Sequence, residues 1–207
     1  MEQRVVRPAV QADLNRILKI YAGARRFMRQ TGNPTQWPET YPARSLLEED
    51  LADGRLFVIA EEERIHGVFA FAIGPDRTYA VIEDGTWHSE RPYGVIHRIA
   101  GDGSGGIFET CLNFCRGKCD YLRIDTHENN KVMRHVVGKA GFRRCGIIYT
   151  DNGTPRIAFD WLEPDGKETK KGSMSIVGVE TKTNNRKSCR SKNSGTIFMY
   201  GRRGFCF

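Results

Sequence analysis

The chain has 207 residues, of which 39% are hydrophobic and 28% are charged. This composition is typical of one globular domain with room for an appendage, and no apolar run approaches the roughly 20 residues that a membrane-spanning helix needs. The N-terminal stretch MEQRVVRPAV lacks the apolar core of a signal peptide, so we expect a cytoplasmic protein with no membrane partner.

The formal net charge of +7 is concentrated at the C-terminal end of the chain. Residues 164–207 carry 10 basic residues (Lys and Arg) and 3 acidic residues (Asp and Glu). Residues 1–163 carry 22 basic and 22 acidic residues. We therefore predict a folded domain over 1–163 with balanced charge. We predict a disordered basic tail over 164–207, because its apolar residues are too few to offset the entropy of ordering. A nucleic-acid partner is not expected for the domain and would act only through this tail.

Hydrophobic patterning predicts helices and strands throughout the domain. The elements predicted for the first half are a strand (5–10), a helix (12–30), a loop rich in Gly and Pro (31–42), a helix (43–54), a hairpin (55–74) and a strand (78–87). Those predicted for the second half are a strand (94–101), a helix (105–118), a strand (121–127), a helix (129–142) and two closing strands (143–149, 156–162). Because hairpins require antiparallel pairing, we predict an α/β (α+β) fold with a mixed, mostly antiparallel central sheet flanked by helices.

Three of the six cysteines, Cys111, Cys115 and Cys119, recur every four residues in the helix predicted over 105–118 and just beyond it. Zinc-binding knuckles use a two-residue gap between cysteines, so this spacing does not indicate a metal site. We expect these side chains to pack as small apolar groups on the sheet. Without a secretion signal, a disulfide framework is not expected either.

The stretch GVIHRIAGDGSGGIFETCLNFC, residues 94–115, predicts a strand, a glycine-rich turn and a helix. Free N–H groups at a helix N-terminus favour an anion, and the glycines at 103, 105 and 106 allow a close backbone approach. A Walker phosphate loop is excluded, because it requires a Lys that this turn lacks. The string GDGSGG matches a dinucleotide-binding fingerprint but lacks its strand–helix–strand context. A plain glycine turn without a ligand is the other alternative.

Ordered motifs over residues 5–162 resemble those of the GNAT superfamily of N-acetyltransferases, in particular its small bacterial-type members. The N-terminal R-x-A-x-x-x-D signature corresponds to Arg7, Ala9 and Asp13. The glycine-rich turn corresponds to the pyrophosphate loop of that family. The family's later helix, N-x-x-A-x-x-L-Y-x-x-x-G-F, corresponds here to Asn130, Met133, Val136, Val137, Gly141 and Phe142.

The resemblance implies an N-acetyltransferase with a GNAT-like fold and acetyl-CoA as cosubstrate. In this family the pantetheine chain pairs with the backbone of the central strand, here Ile99 and Ala100. The pyrophosphate binds the N–H groups of the turn and the helix start, and Asn130 contacts the cofactor. The positions matched to the pyrophosphate are Ser104, Gly105, Gly106, Ile107 and Phe108. The resemblance also allows a homodimer.

This chain departs from the family pattern at three positions. The Arg or Gln that opens the pyrophosphate loop is Gly103 here, and the final Gly or Ala is Phe108, whose side chain would crowd the phosphates. The helix Tyr that often protonates the leaving thiolate is Val137. Three hypotheses follow: an N-acetyltransferase, a non-catalytic acyl-CoA-binding or regulatory domain, and a nucleic-acid-associated protein acting through the tail.

Acetyl transfer to an amine requires a group that removes a proton from the attacking nitrogen. The candidate bases are His97 on the central strand, Glu83 at a predicted strand end and His127 after the next strand. Each base has a structural alternative: a buried core residue for either histidine, and a solvated carboxylate in a turn for Glu83. Asp125, two residues before His127, is a candidate cap of the following helix. Four aromatic residues in predicted loops are candidates for an acceptor pocket or for packing over the sheet: Trp37, Tyr41, Trp87 and Tyr93. The acceptor expected is a small-molecule or protein amine.

Overall fold

The computed structural model describes residues 4–164, all of which lie within the compact unit Met1–Lys167. The tail predicted over 164–207 lies outside the described residues, except for Pro164. Among the helices of the described part, none is long and apolar enough to cross a membrane.

Seven strands form one sheet within residues 4–164, in the spatial order β1-β2-β3-β4-β5-β7-β6. All neighbouring strands are antiparallel except β4 and β5, which are parallel. The strands are β1 (Val5–Pro8), β2 (Leu56–Glu61), β3 (Arg64–Ile73), β4 (Gly94–Gly101), β5 (Tyr121–Thr126), β6 (Arg143–Tyr149) and β7 (Pro155–Leu162). The predicted mixed, mostly antiparallel sheet is therefore confirmed.

In the described part of the chain, four α-helices accompany the sheet: α1 (Leu14–Gln30), α2 (Arg44–Ala52), α3 (Ile107–Arg116) and α4 (Lys131–Lys139). Alternate residues along a strand point to opposite faces, and the two main apolar clusters divide the β2 residues in this way. Val58 belongs to the cluster with α1 and α2, whereas Ile59 belongs to the cluster with α3 and α4. The helices therefore cover both faces of the sheet, as predicted. Cys111 and Cys115 are buried in the second of these clusters, which confirms their predicted packing role.

The strand predicted over 78–87 is wrong. The structure has a short 3-10 turn at Arg77–Tyr79 and then a loop, whose backbone pairs with β6 at a single isolated bridge between Glu83 and Ile147. The Asp76 side chain accepts a hydrogen bond from the Thr78 amide and thereby starts the turn. A β-carbon at Gly85 would lie 1.8 Å from the Cys145 carbonyl oxygen, so the loop crosses β6 too closely to continue as a sheet strand.

Candidate active site

The sheet opens between β4 and β5. These strands pair only at Gly94–Leu122 and Val95–Arg123, so within the described chain the β4 backbone after Val95 has no partner on the β5 side. A cavity of about 690 Å³ occupies this gap and is lined by residues 96–99 of β4 and 124–126 of β5. An extended ligand can therefore reach unpaired strand backbone here, in the manner of an added strand.

A β-bulge reshapes β4 at the cavity. Ala70 pairs with His97 and Val68 with Ala100, so Arg98 and Ile99 together oppose a single residue of β3. Arg98 has a φ of 53°, a conformation that non-glycine residues seldom adopt. The Tyr21 hydroxyl donates to the Arg98 carbonyl at 2.9 Å, and the Arg98 guanidinium pairs with the buried Asp50 carboxylate. These contacts hold the bulge in place and expose both residues to the cavity.

The glycine-rich turn joins β4 to α3 at the end of the same gap. Gly103, Gly105 and Gly106 have positive φ angles, and no side chain caps the first N–H groups of α3. The helix lies so close to the sheet that only glycine fits at 67 and 101. A β-carbon at Gly67 or Gly101 would lie 2.7 or 2.8 Å from the Ile107 side chain. The turn thus offers amides to an external anion, which fits the predicted pyrophosphate site.

Polar contacts define the shape of the turn. Asp102 accepts hydrogen bonds from the Ser104 amide at 3.1 Å and from Arg16 at 3.1 Å, and its carboxylate also lies 3.1 Å from the His66 ring. The Ser104 amide is therefore already bonded within the protein. Arg4 donates to the Gly105 carbonyl, so a cation lies beside the turn. Among the predicted positions, the Ser104 amide thus differs from those at Gly105 onwards, for which the structure gives no side-chain acceptor.

The other predicted cofactor residues occupy different parts of the site. Ile99 lines the cavity, whereas Ala100 is buried against α1 and α2. Phe108 is half-buried and packs against the apolar cluster of α3 and α4, so its ring is engaged in packing. Asn130 lines the cavity, where its Oδ1 caps α4 by accepting from the Met133 amide and its Nδ2 donates to Gln36.

His97 lies on the cavity wall, paired with a carboxylate that the sequence analysis did not identify. Its Nε2 is 2.8 Å from Oδ2 of Asp76, and its Nδ1 is 4.0 Å from Oδ1 of Asp125. Burial opposes the charged form of Asp76. Hydrogen bonds from His97 and Thr78 outweigh this effect and hold the pKa of the Asp76 carboxyl well below its usual range. The ionised Asp76 orients the imidazole through this contact.

Asp125 is fixed by groups on both of its oxygens. The buried Tyr79 hydroxyl donates to Oδ1 at 2.8 Å, and the Arg156 guanidinium lies 3.8 Å from Oδ2. Burial and the adjacent Asp125 charge raise the pKa of Tyr79 well above its usual value. The prediction that Asp125 caps the following helix is therefore wrong. Asp125 bonds to the Tyr79 hydroxyl, and Asn130 caps α4.

The two other predicted bases lie apart from the cavity lining. Glu83 is exposed beside β6, where its carboxylate accepts from the Tyr149 hydroxyl at 2.9 Å. His127 is buried, and its Nδ1 accepts from the Asn129 amide at 3.1 Å. Burial and the nearby Arg156 charge lower the pKa of His127, which favours its neutral form. Of the three candidate bases, the structure brings His97 to the cavity.

The predicted aromatic residues separate into two pairs. Trp37 and Tyr41 line the cavity, with ring centroids 5.8 Å apart, and Trp37 also packs edge-on against Tyr21. Trp87 and Tyr93 lie outside the cavity lining, where their rings enclose the buried Arg123 guanidinium at 3.9 and 3.8 Å. The first pair can contact an acceptor, whereas the second pair anchors the loop before β4 to the sheet.

Sequence reasoning missed Asp76, Gln36 and Arg156, all of which line the cavity. Asp76 had a local signal, because Asp followed two residues later by Thr is a common turn-starting pattern. Gln36 accepts from Asn33 and Asn130, and the Arg156 guanidinium donates to its carbonyl, so Gln36 ties the 31–42 loop to α4 and β7. The contacts of Gln36 with Asn130 and Arg156 join residues far apart in the chain, and no short motif predicts them.

Comparison with known proteins gives the same architecture. No family model matches the chain, and no curated protein matches it either. A GNAT-family acetyltransferase structure from Streptococcus agalactiae is similar at a TM-score of 0.71 and 29% identity, over 79% of this chain and 98% of that chain. A GNAT-family acetyltransferase from Listeria monocytogenes is similar at a TM-score of 0.59 and 19% identity, over 77% of this chain and 94% of that one.

A third similar structure, an aminoglycoside N(6')-acetyltransferase from Legionella pneumophila, has a TM-score of 0.56 and 12% identity, over 78% of this chain and 93% of that one. The two more distant likenesses show the fold alone. The seven-stranded, mostly antiparallel sheet flanked by helices matches the GNAT acyltransferase fold of these structures. The 29% identical structure and the motifs at 5–162 thus agree, and the neighbours support the predicted resemblance to the GNAT superfamily of N-acetyltransferases.

Proposed function

We propose that the protein transfers an acetyl group from acetyl-CoA to an amine, with His97 as the general base. The observation that carries this proposal is the gap between β4 and β5, whose cavity brings unpaired strand backbone together with the His97–Asp76 pair. The uncapped α3 N-terminus follows directly after β4 in the chain. A site of this kind accommodates a long cosubstrate at one end and an amine at the other. The family relationship supports acyl transfer as the reaction class.

The described residues fit acetyl-CoA, which when bound supplies an acetyl thioester. Ile99 and the adjoining β4 backbone would hold its pantetheine chain, and the amides from Gly105 to Phe108 would hold its pyrophosphate. Arg4 beside the turn adds a positive charge. Asn130 lines the same cavity as Ile99. Its side-chain Oδ1 caps α4, and its Nδ2 donates to Gln36.

His97 is the residue best placed to take the proton of the attacking amine. With Nε2 donating to Asp76, Nδ1 is the ring atom free to accept a proton in the cavity. The carboxylates of Asp76 and Asp125 then stabilise the imidazolium. The Trp37 and Tyr41 rings line the same cavity. The faces of aromatic rings attract cations and pack against apolar groups, so these rings favour an acceptor amine attached to a cationic or apolar group. The acceptor is thus proposed to be an amine on a small molecule or on an exposed protein segment.

A second candidate function is acyl-CoA binding without turnover. It is favoured by Val137, which is fully buried in the apolar cluster and has no hydroxyl to protonate a leaving thiolate. Under the catalytic proposal the thiolate takes its proton from water or from another group in the cavity. The two candidates share the binding site and differ only in turnover.

The test is calorimetric titration of acetyl-CoA into the full chain, followed by an amine panel scored by release of free CoA thiol. Binding at one site with thiol release that requires an amine supports the proposal. Binding without release for any amine supports the second candidate. The variant His97→Gln is expected to bind acetyl-CoA normally and to lose amine-dependent release, and absence of acetyl-CoA binding by the unaltered chain would overturn both candidates.

A further inference from the structure

Three side chains with metal-binding atoms meet outside the cavity. They are His88 in the loop before β4, Cys145 in β6 and Asp160 in β7, and their ligand atoms all lie within 4.8 Å of one another. The His88 Nδ1 is 2.8 Å from Oδ1 of Asp160 and 3.3 Å from the Cys145 sulfur. None of these residues lines the proposed acetyl-transfer cavity, so the cluster needs its own explanation.

A second β-bulge brings the cysteine to this position. Arg144 pairs with Phe159 and Gly146 with Ala158, so Cys145 is the extra residue in β6. Bulges redirect side chains and recur next to functional sites. The loop that carries His88 approaches the bulge closely, since a β-carbon at Gly146 would lie 2.4 Å from the Glu83 carbonyl oxygen. Glycine at 85 and at 146 permits this approach.

The Asp160 carboxylate is held by groups that leave one oxygen directed at the cluster. Its Oδ2 accepts from the His88 amide at 2.9 Å and from the Tyr121 hydroxyl at 2.9 Å. Its Oδ1 faces the His88 ring. A carboxylate ligand oriented by hydrogen bonds to its other oxygen is the usual arrangement around protein-bound metals.

We infer that His88, Cys145 and Asp160 bind a divalent transition metal, with Zn²⁺ as the best-fitting ion. Sulfur, imidazole nitrogen and carboxylate oxygen are the three ligand types that Zn²⁺ accepts. With Zn–S and Zn–N bonds of about 2.3 and 2.0 Å, tetrahedral geometry separates these ligand atoms by roughly 3.3–3.6 Å. The 3.3 Å between sulfur and Nδ1 must widen by about 0.2 Å, and the 2.8 Å between Nδ1 and Oδ1 by about 0.5 Å, to reach this geometry.

Metal binding changes the protons of the cluster in a defined way. The Cys145 sulfur forms a bond to the metal as its thiol proton leaves to solvent, and the His88 ring presents the Nδ1 lone pair with its proton on Nε2. Asp160 exchanges its contact with His88 Nδ1 for the metal and keeps both hydrogen bonds on Oδ2. The fourth position is open to water on the His88 side, where that side chain is 32% exposed.

The alternative is a metal-free cluster held by hydrogen bonds alone, and cobalt spectroscopy distinguishes the two. The full chain is treated with a chelator, exchanged into buffer and titrated with Co²⁺. We expect one equivalent to produce a thiolate-to-cobalt charge-transfer band and intense tetrahedral visible bands, which an equivalent of Zn²⁺ then removes. Both variants Cys145→Ser and His88→Gln should lose the charge-transfer band, and His88→Gln changes a partly exposed loop residue, so that the loss does not depend on altering a buried side chain.

Matched controls assign the signal. Cys119→Ser, which changes a half-buried cysteine elsewhere, and the double variant Cys189→Ser/Cys206→Ser should keep the band and its stoichiometry. Tyr121→Phe removes a hydrogen bond to Asp160 and should weaken Co²⁺ binding about 10- to 100-fold while leaving the spectrum of the bound form unchanged. Absence of stoichiometric Co²⁺ binding, or a thiolate band that survives in Cys145→Ser, would overturn the inference.

Discussion

Two histidine–aspartate pairs with the same 2.8 Å contact occur in this protein, and their surroundings differ. His97 and Asp76 line the cavity, where each side chain is 25% exposed. His88 contacts Asp160, which is fully buried beside a thiol and accepts two further hydrogen bonds on its second oxygen. The contact distance alone therefore does not assign a role. The first pair can exchange protons with a ligand in the cavity, whereas the second is integrated into the packing of the β6–β7 pair.

The sharpest way to separate the pairs is to replace each histidine in turn. We expect His97→Gln to lower kcat/KM for the best amine about 10²- to 10⁴-fold, which is the usual contribution of a general base. His88→Gln should leave this rate within about twofold, because His88 lies outside the cavity lining. The measurement is steady-state thiol release, with acetyl-CoA affinity determined separately. Equal losses in both variants would contradict the assignment of His97.

Replacing the two aspartates should affect stability, and here the His88–Asp160 pair should show the larger effect. The Asp160 carboxylate accepts several hydrogen bonds, whereas an asparagine there would place its own N–H group against buried donors. We therefore expect Asp160→Asn to lower the free energy of unfolding by about 3 kcal/mol. Asp76→Asn, at a partly exposed turn, should cost about 1 kcal/mol. Urea unfolding in the presence of a chelator measures both values without any contribution from bound metal. A cost for Asp76→Asn as large as that for Asp160→Asn would remove the distinction.

Asp76→Asn should reveal a positioning role in catalysis. Without the carboxylate the His97 ring loses its orientation and the imidazolium loses one stabilising charge, so we expect kcat/KM to fall about tenfold with little change in KM for acetyl-CoA. The pH profile of kcat/KM should also change shape, because the charge beside the base is gone. Asp76→Glu, which keeps the charge, should recover part of the rate. A purely structural role would give a uniform loss without a change in the pH profile.

The parts of this site that could be predicted from sequence are those encoded within one short segment. The bounds predicted for the strand 94–101 are those of the structure, because GVIHRIAG has apolar residues on either side of His97 and Arg98 and begins and ends with glycine. The turn into α3 followed from its glycines, and the apolar faces of the helices followed from their periodicity. Such signals depend on neighbours in the chain and do not need the tertiary fold.

The contacts between distant segments could not be predicted in this way. Asp76 lies 21 residues before His97, and its pairing depends on how the loop after β3 folds back over the cavity. The bulges at Arg98 and Cys145 arise from strand pairing, so neither appears as a motif in its own strand. Glu83 was predicted at a strand end because 78–87 has an extended pattern, but the turn that Asp76 starts and the crossing at Gly85 place that segment beside β6.

The smallest difference between the two pairs should appear in the dependence of stability on pH. Burial opposes the ionised form of Asp160, but hydrogen bonds from His88 and Tyr121 outweigh it and lower the pKa of this carboxyl. The pKa of Asp76 is lowered in the same direction. A carboxyl whose pKa is lower in the folded state binds fewer protons there than in the unfolded state. Its stabilisation is therefore fully present above the unfolded pKa of about 4 and is lost as the pH falls through the folded value.

Both Asp160→Asn and Asp76→Asn should therefore flatten the rise of the unfolding free energy between about pH 2 and pH 4, each by one carboxyl. The expected difference lies in how salt modifies the effect. Asp76 is partly exposed, so added salt should weaken its contribution, whereas the buried Asp160 is shielded from ions and should keep its own. Urea unfolding at several pH values, at low and at high salt, provides the comparison. If salt removes the Asp160 contribution as readily as that of Asp76, the buried carboxylate is accessible to solvent ions and the contrast between the two pairs fails.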